Sequence, residues 1–177
     1  MTDIRILHED NHLLIVEKPI NIPVQEDRSQ DEDLLTLLKE DIKIRYQKPG
    51  NVYLALIHRL DRPVGGAIVF AKTSKAASRM ADLLRKRELK RSYLAVVRGV
   101  VKEKRGKLTH YLRKDHRRNF VHAVPKGTKG AKQAILHYER LGVQDNLSLL
   151  YVRLETGRSH QIRVQLNEIG HPLYGDQ

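Results

Sequence analysis

Ile57-His58-Arg59-Leu60-Asp61-Arg62-Pro63-Val64-Gly65-Gly66 lies between two apolar runs, Val52 to Ile57 and Ala67 to Ala71. It sets one carboxylate among two arginines and a histidine, and its Pro and two Gly supply a turn. Two strand-like runs joined by a charged turn predict that Asp61 is presented at the end of a sheet. Arg59 and Asp61 are two residues apart, so in an extended chain their side chains leave the same side. A carboxylate at such a place also serves as an ordinary turn residue, and the rest of the chain has to decide between the two readings.

Working outward, Ile4 to Leu7 and Leu13 to Val16 flank the turn composition Glu9-Asp10-Asn11 and predict a strand pair. Glu17-Lys18-Pro19 with Pro23-Val24 reads as extended loop, because Pro fixes the backbone and cannot donate to a ladder. Asp31-Glu32-Asp33 puts acids at the positive end of a helix whose Leu34, Leu35, Leu38 and Ile42 share a face. On the other side of the motif, Thr73-Ser74 caps a second helix with Ala76, Ala77, Met80, Leu83 and Leu84 at helical spacing. Arg91 to Gly99 then reads as a strand, followed by strand-like pieces at Leu108 to Leu112, Phe120 to Val124, Gln133 to Leu141 and Leu147 to Leu154. After these, Leu154 to Leu166 predicts a strand, a Gly turn and a helix capped by Ser159, with Ile162, Leu166 and Ile169 on one face and Arg163 beside it. Short strands in succession argue for antiparallel pairing rather than repeated strand-helix-strand units. The expected class is therefore α+β, a mixed, mostly antiparallel sheet flanked by helices and loops, in a single domain over residues 1–177.

The charge balance narrows the partners. Lys and Arg number 33 against 21 Asp and Glu, a net charge of +12 with a pI near 10.0, which points to a polyanion. The excess is concentrated in Arg85 to Arg91, Lys102 to Lys107, Arg113 to Arg118 and Lys126 to Lys132, the stretch expected to meet phosphates. No apolar run approaches the roughly 20 residues that cross a bilayer, and MTDIRILHEDN lacks the layout of a secretion signal. A soluble protein is expected, with no membrane partner. Its lack of Cys excludes disulfides and thiolate metal sites and fits a reducing cytoplasm. The nine His show no HExxH spacing or comparable cluster, so no metal is expected.

Three segments in this order carry a family resemblance. HRLD with Gly65-Gly66 and the apolar run behind it resembles the catalytic motif of the RluA-like pseudouridine synthases. KRSYLAVVRG resembles that family's Lys-x-Tyr-x-Ala-x-Val-x-Gly segment, with Lys90 one place further back. TGRSHQIRVQL followed by GHPLYGD resembles its third motif. EKPINIPV is similar to its first motif, with Glu17 where Asn is usual, and Arg62-Pro63-Val64 stands where a Thr-Ser pair is common before the Gly.

The resemblance implies a form without a separate small RNA-binding domain in front. It also implies that the chain, ending at Gly175-Asp176-Gln177, lacks strands with which relatives continue. The implied activity is isomerisation of uridine to pseudouridine in structured rRNA or tRNA, with no DNA substrate, no cofactor and a monomeric enzyme. Asp61 is the implied catalytic carboxylate, Tyr93 the active-site tyrosine, and Arg163 the arginine that pairs with Asp61, with Ile162 as its hydrophobic neighbour. Arg59 is implied to fill the gap left by the flipped uridine, and His58 and Arg62 to contact substrate. The alternative is a non-catalytic, basic RNA-binding or ribosome-associated protein of the same fold.

Overall fold

The computed structural model describes residues 4–27, 29–115, 117 and 120–176. His116 and Arg118 of the basic run 113–118 lie outside the described residues. The chain falls into two compact units, Met1–Glu88 and Leu89–Gln177.

In the first unit, β1 (Ile6–Glu9), β2 (Leu13–Lys18), β3 (Ala55–Leu56) and β4 (Gly66–Ala71) form a sheet in the order β1-β2-β4-β3, with every pairing antiparallel. Strand alternation sends Leu14 and Val16 of β2 and Ile68 and Phe70 of β4 into the interior, where all four are fully buried. α1 (Leu34–Arg45) buries Leu34, Leu38 and Ile42, the face expected from their spacing. It starts where the Asp33 side chain accepts from the Thr36 N–H. α2 (Ser74–Arg85) starts in the same way, Thr73 accepting from Ala76 N–H. One expectation changes here: Glu17 and Lys18 are not loop but the last residues of β2, paired with Ala67 and Gly66. Pro19 comes immediately after, where a missing N–H costs the ladder nothing.

In the second unit, β5 (Arg91–Arg98), β6 (Arg105–Asp115), β7 (Phe120–Val124), β8 (Lys132–Gln144) and β9 (Leu147–Leu154) form a sheet in the order β5-β9-β8-β6-β7, again antiparallel throughout. β8 and β9 meet in a two-residue hairpin because Asp145 and Asn146 both adopt positive φ, 50° and 58°, as a tight turn demands. That turn carries β8 three residues beyond its expected end at Leu141. Ala95 and Val97 of β5, Leu150 and Val152 of β9, and Leu136 and Tyr138 of β8 form the core on one face. α3 (Gln161–Glu168) adds Leu166 to that core, with Ile162 and Ile169 packed against it. The α+β class holds, with the described strands divided between two sheets.

Gly106 of β6 stands directly opposite Tyr138, whose ring lies across it. A Cβ at this glycine would come 2.5 to 2.6 Å from Cε1, Cζ and the hydroxyl oxygen of Tyr138. Gly106→Ala is therefore expected to lower stability by about 1–3 kcal/mol through overpacking, read as a shift in the urea midpoint. An unchanged midpoint would show that the ring moves aside at no cost.

Candidate active site

The segment that joins β3 to β4 carries four of the seven expected site residues. It is irregular chain, yet it keeps strand-like alternation: Leu60 is buried while Arg59 and Asp61 on either side are exposed. Burying Leu60 therefore turns both polar side chains outward together, as the two-residue spacing requires. His58 is half-buried, and its Nε2 accepts from the Val69 N–H of β4 at 3.2 Å, tying the start of the segment to the sheet. The turn itself closes through Val64 N–H donating to the Asp61 carbonyl at 2.9 Å. Gly66 re-enters the strand at a φ of 129°, a conformation that side chains with a Cβ rarely adopt.

Arg62 faces back onto its own unit. Its Nε donates to the Asn21 carbonyl at 3.0 Å, one terminal nitrogen to Ser29 Oγ at 3.2 Å, and the other to Asp31 Oδ2 at 2.6 Å. The Asn21 N–H in turn donates to the Arg62 carbonyl at 2.8 Å. The guanidinium beside it lowers the Asp31 carboxyl below its ordinary range, the hydrogen bond from Arg62 being the largest cause. Asp27 is lowered as well, first by hydrogen bonds from Ser29 and more weakly by the charges of Arg62 and Arg59. Arg62 thus joins the Asp61 turn to the segment from Asn21 to Asp31.

Beneath the turn lies a residue to which sequence reasoning assigned no role. Strand alternation places Lys18 in the same row as Leu14 and Val16, and it is only 1% exposed. Its Nζ donates to the carbonyls of Pro19, Arg62 and Val64 at 2.8, 2.9 and 2.8 Å. Burial pulls its pKa below the usual lysine value, an effect that the charge of Asp61 opposes and that of Arg62 reinforces.

The second unit holds Tyr93, Ile162 and Arg163. Tyr93, on β5, and Ile162, on α3, are half-buried and pack against the same core cluster. Arg163 is exposed, and its Nε meets Asp176 Oδ2 at 2.5 Å. The expected Ser159 cap is replaced by His160, which enters α3 in the left-handed conformation at φ 50° without a side-chain cap bond. The anchor is instead a pair of buried glutamines. Gln161 Oε1 accepts from Thr156 Oγ1 at 2.8 Å and Arg158 N–H at 2.9 Å, while its Nε2 donates to the Ile135 carbonyl and to Gln165 Oε1. Gln165, 0% exposed, points its Nε2 at the Leu108 and Ala134 carbonyls and at His110 Nδ1, 3.1 to 3.2 Å away. One turn of helix thus locks α3, with Ile162 and Arg163 on it, to β6 and β8. The sequence signal was present in two Gln four residues apart next to an apolar stripe. Gln165→Met is expected to cost about 1–3 kcal/mol of stability by leaving buried partners unsatisfied, measurable by urea denaturation.

Among the described residues no three His, Asp or Glu lie close enough to hold a metal ion, and no helix is long and apolar enough to cross a membrane.

Comparison with known proteins places these segments. The family described as RNA pseudouridylate synthase matches residues 12–168. An RNA pseudouridine synthase of Bacillus subtilis, described as uncharacterized, is 36% identical over 177 residues, which cover 98% of this chain and 57% of that protein. Ribosomal large subunit pseudouridine synthase D of Nitrosomonas europaea is 38% identical over 174 residues, 98% of this chain and 48% of that one. The chain therefore spans about half the length of these relatives. In fold it is similar to human RNA pseudouridylate synthase domain containing 4, with a TM-score of 0.82 at 24% identity over 97% of this chain and 67% of the human one. The match over residues 12–168 takes in the Asp61 turn, the Tyr93 strand and α3, and this chain belongs to the RNA pseudouridylate synthase family.

Proposed function

We propose that this protein isomerises specific uridines of structured rRNA or tRNA to pseudouridine. The observation that carries the reading is Asp61: an exposed carboxylate on a segment held by the buried Leu60, the His58 to Val69 bond and the Arg62 contacts, in a chain of this family. In the reaction the bond from ribose to uracil nitrogen 1 breaks and a bond from ribose to carbon 5 forms, while the hydrogen of carbon 5 leaves to water and nitrogen 1 gains one. Atoms and electrons balance without a redox partner. Asp61 acts on the uracil ring or the sugar as the nucleophile or charge-stabilising carboxylate. Tyr93 stacks on the base or moves a proton, Arg163 supplies positive charge, and Ile162 lends an apolar wall. Arg59 occupies the space left by the displaced base, whose unstacking costs a few kcal/mol. His58 and Arg62 contact the substrate from this turn, which the His58 Nε2 bond to Val69 N–H and the Arg62 guanidinium also tie to the first unit.

RNA rather than DNA is the proposed partner, with a monomer as the working unit and the cytoplasm as its site. The positive charge supports a nucleic-acid partner: residues 89–177 hold 18 Lys or Arg against 7 Asp or Glu, while residues 1–88 hold 15 against 14. The test is release of tritium from RNA labelled at carbon 5 of uridine. Release by the parent chain and not by Asp61→Asn supports the reading. Salt-sensitive RNA binding without release favours a non-catalytic RNA-binding protein.

A further inference from the structure

We propose that Asp176 is a positioning residue for the reaction, its carboxylate setting the plane in which Arg163 presents its guanidinium. The inference rests on the proposed role of Arg163 as the source of positive charge. The contact is made at one defined atom: Arg163 Nε donates to Asp176 Oδ2 at 2.5 Å. A guanidinium is flat and carries five N–H groups, one of them on Nε. A charge-assisted bond at Nε restrains rotation of the whole group, so the terminal nitrogens, which carry the other four, keep one direction.

The chain after α3 is shaped to deliver this carboxylate. Gly170 N–H donates to the Asn167 carbonyl at 2.9 Å and His171 N–H to that of Leu166 at 3.0 Å, and Gly170 turns the chain at a φ of 80°. Residues 172–174 then run antiparallel along β5. Arg98 N–H donates to the Pro172 carbonyl at 2.9 Å and Tyr174 N–H to the Val96 carbonyl at 2.8 Å, on either side of a bridge between Val97 and Leu173. Leu173 packs against the core, and the Arg98 guanidinium lies over the Tyr174 ring, 5.3 Å from its centre. Gly175 turns the chain again at a φ of 79°, and Asp176 N–H reaches back to the Leu173 carbonyl at 3.4 Å. The segment thus leaves the helix that bears Arg163, is pinned to the strand that bears Tyr93, and returns a carboxylate to the helix. Stability does not require that return. The side chains of Arg163 and Asp176 are 43% and 26% exposed, where water screens their attraction, and Leu173 with the bonds to β5 already holds the segment. What the pair controls is the direction of a charge, and direction enters the rate rather than the folding equilibrium.

Asp176→Ala removes the acceptor and is expected to fold with the parent's urea midpoint. It is expected to lose about tenfold to a hundredfold in kcat for tritium release, with KM for RNA within about threefold of the parent. In an Arg163→Met background, assayed as single turnovers with enzyme in excess, the same change is expected to cost less than about twofold, because the group it acts through is gone. A parent-like kcat in Asp176→Ala overturns the proposal, as does an equal proportional loss in the two backgrounds or a loss that only tracks the unfolded fraction. Should Arg163→Met leave no measurable release, the contact itself decides. With 15N-labelled arginine, the Arg163 Nε–H resonance is expected to exchange with water more slowly in the parent than in Asp176→Ala, and equal rates overturn the proposal. An Asp61→Asn chain as active as the parent overturns this inference together with the reading beneath it. An inactive Asp61→Asn beside a fully active Asp176→Ala overturns this inference alone.

Discussion

Asp61→Asn is expected to lower the rate of uridine isomerisation by at least about a thousandfold while changing RNA affinity by less than about threefold, read as tritium release and filter binding on the same RNA. The separation follows from where the residue sits. Its backbone carbonyl closes the turn by accepting from Val64 N–H, and an asparagine keeps that bond and the side-chain shape. What is lost is the negative charge and the nucleophilicity of the carboxylate. Leu60, His58 and Lys18 still hold the segment. Loss of affinity in step with activity would mean that the carboxylate organises the RNA-binding surface, and the catalytic assignment would fall. Unchanged activity would remove the proposed chemistry altogether.

RNA affinity is expected to fall about a thousandfold between 50 and 200 mM salt, as for a protein that neutralises about six phosphates. The dependence is expected to belong to the second unit, which carries +11 from 18 basic and 7 acidic residues, against +1 from 15 and 14 in the first. Lys126 and Lys129 are exposed in the turns before β8, and Lys132 is exposed at its first position. Changing all three to Gln is expected to make the slope of log affinity on log salt shallower by about 2 to 3. The matching change at Lys39, Lys43 and Lys75 of the first unit is expected to leave the slope within about half a unit. Equal effects from the two sets would show that the phosphate path is not confined to residues 89–177. The sequence alone points here, since a count of charges needs no fold, but the division into units is what isolates the two sets.

The elements themselves were legible because their signals are local. Phe120–Val124 and Leu147–Leu154 form strands over the spans expected from β-branched and apolar runs, and Asp33 and Thr73 cap the helices their spacing announced. The Asp61 turn was legible for the same reason: Pro, two Gly and charged residues between two apolar runs state a turn within ten residues. Where the sequence reading departed from the fold, the deciding partner lay far along the chain. Lys18 beside Pro19 reads as loop, yet Ala67 and Gly66 extend β2 to it, and the carbonyls that satisfy it belong to residues 62 and 64. Arg62 reads from the sequence as a neighbour of Asp61 alone, and the Asn21, Ser29 and Asp31 that engage its guanidinium lie 31 to 41 residues away. Ser159 has the chemistry of a cap, but α3 is tied down by Gln161 and Gln165 through carbonyls of Ile135, Leu108 and Ala134. Caps, turns and periodicity act over one to four residues and are therefore written in the local sequence. A buried polar group must find its hydrogen-bond partners wherever the tertiary fold brings them, and no local pattern records where that is.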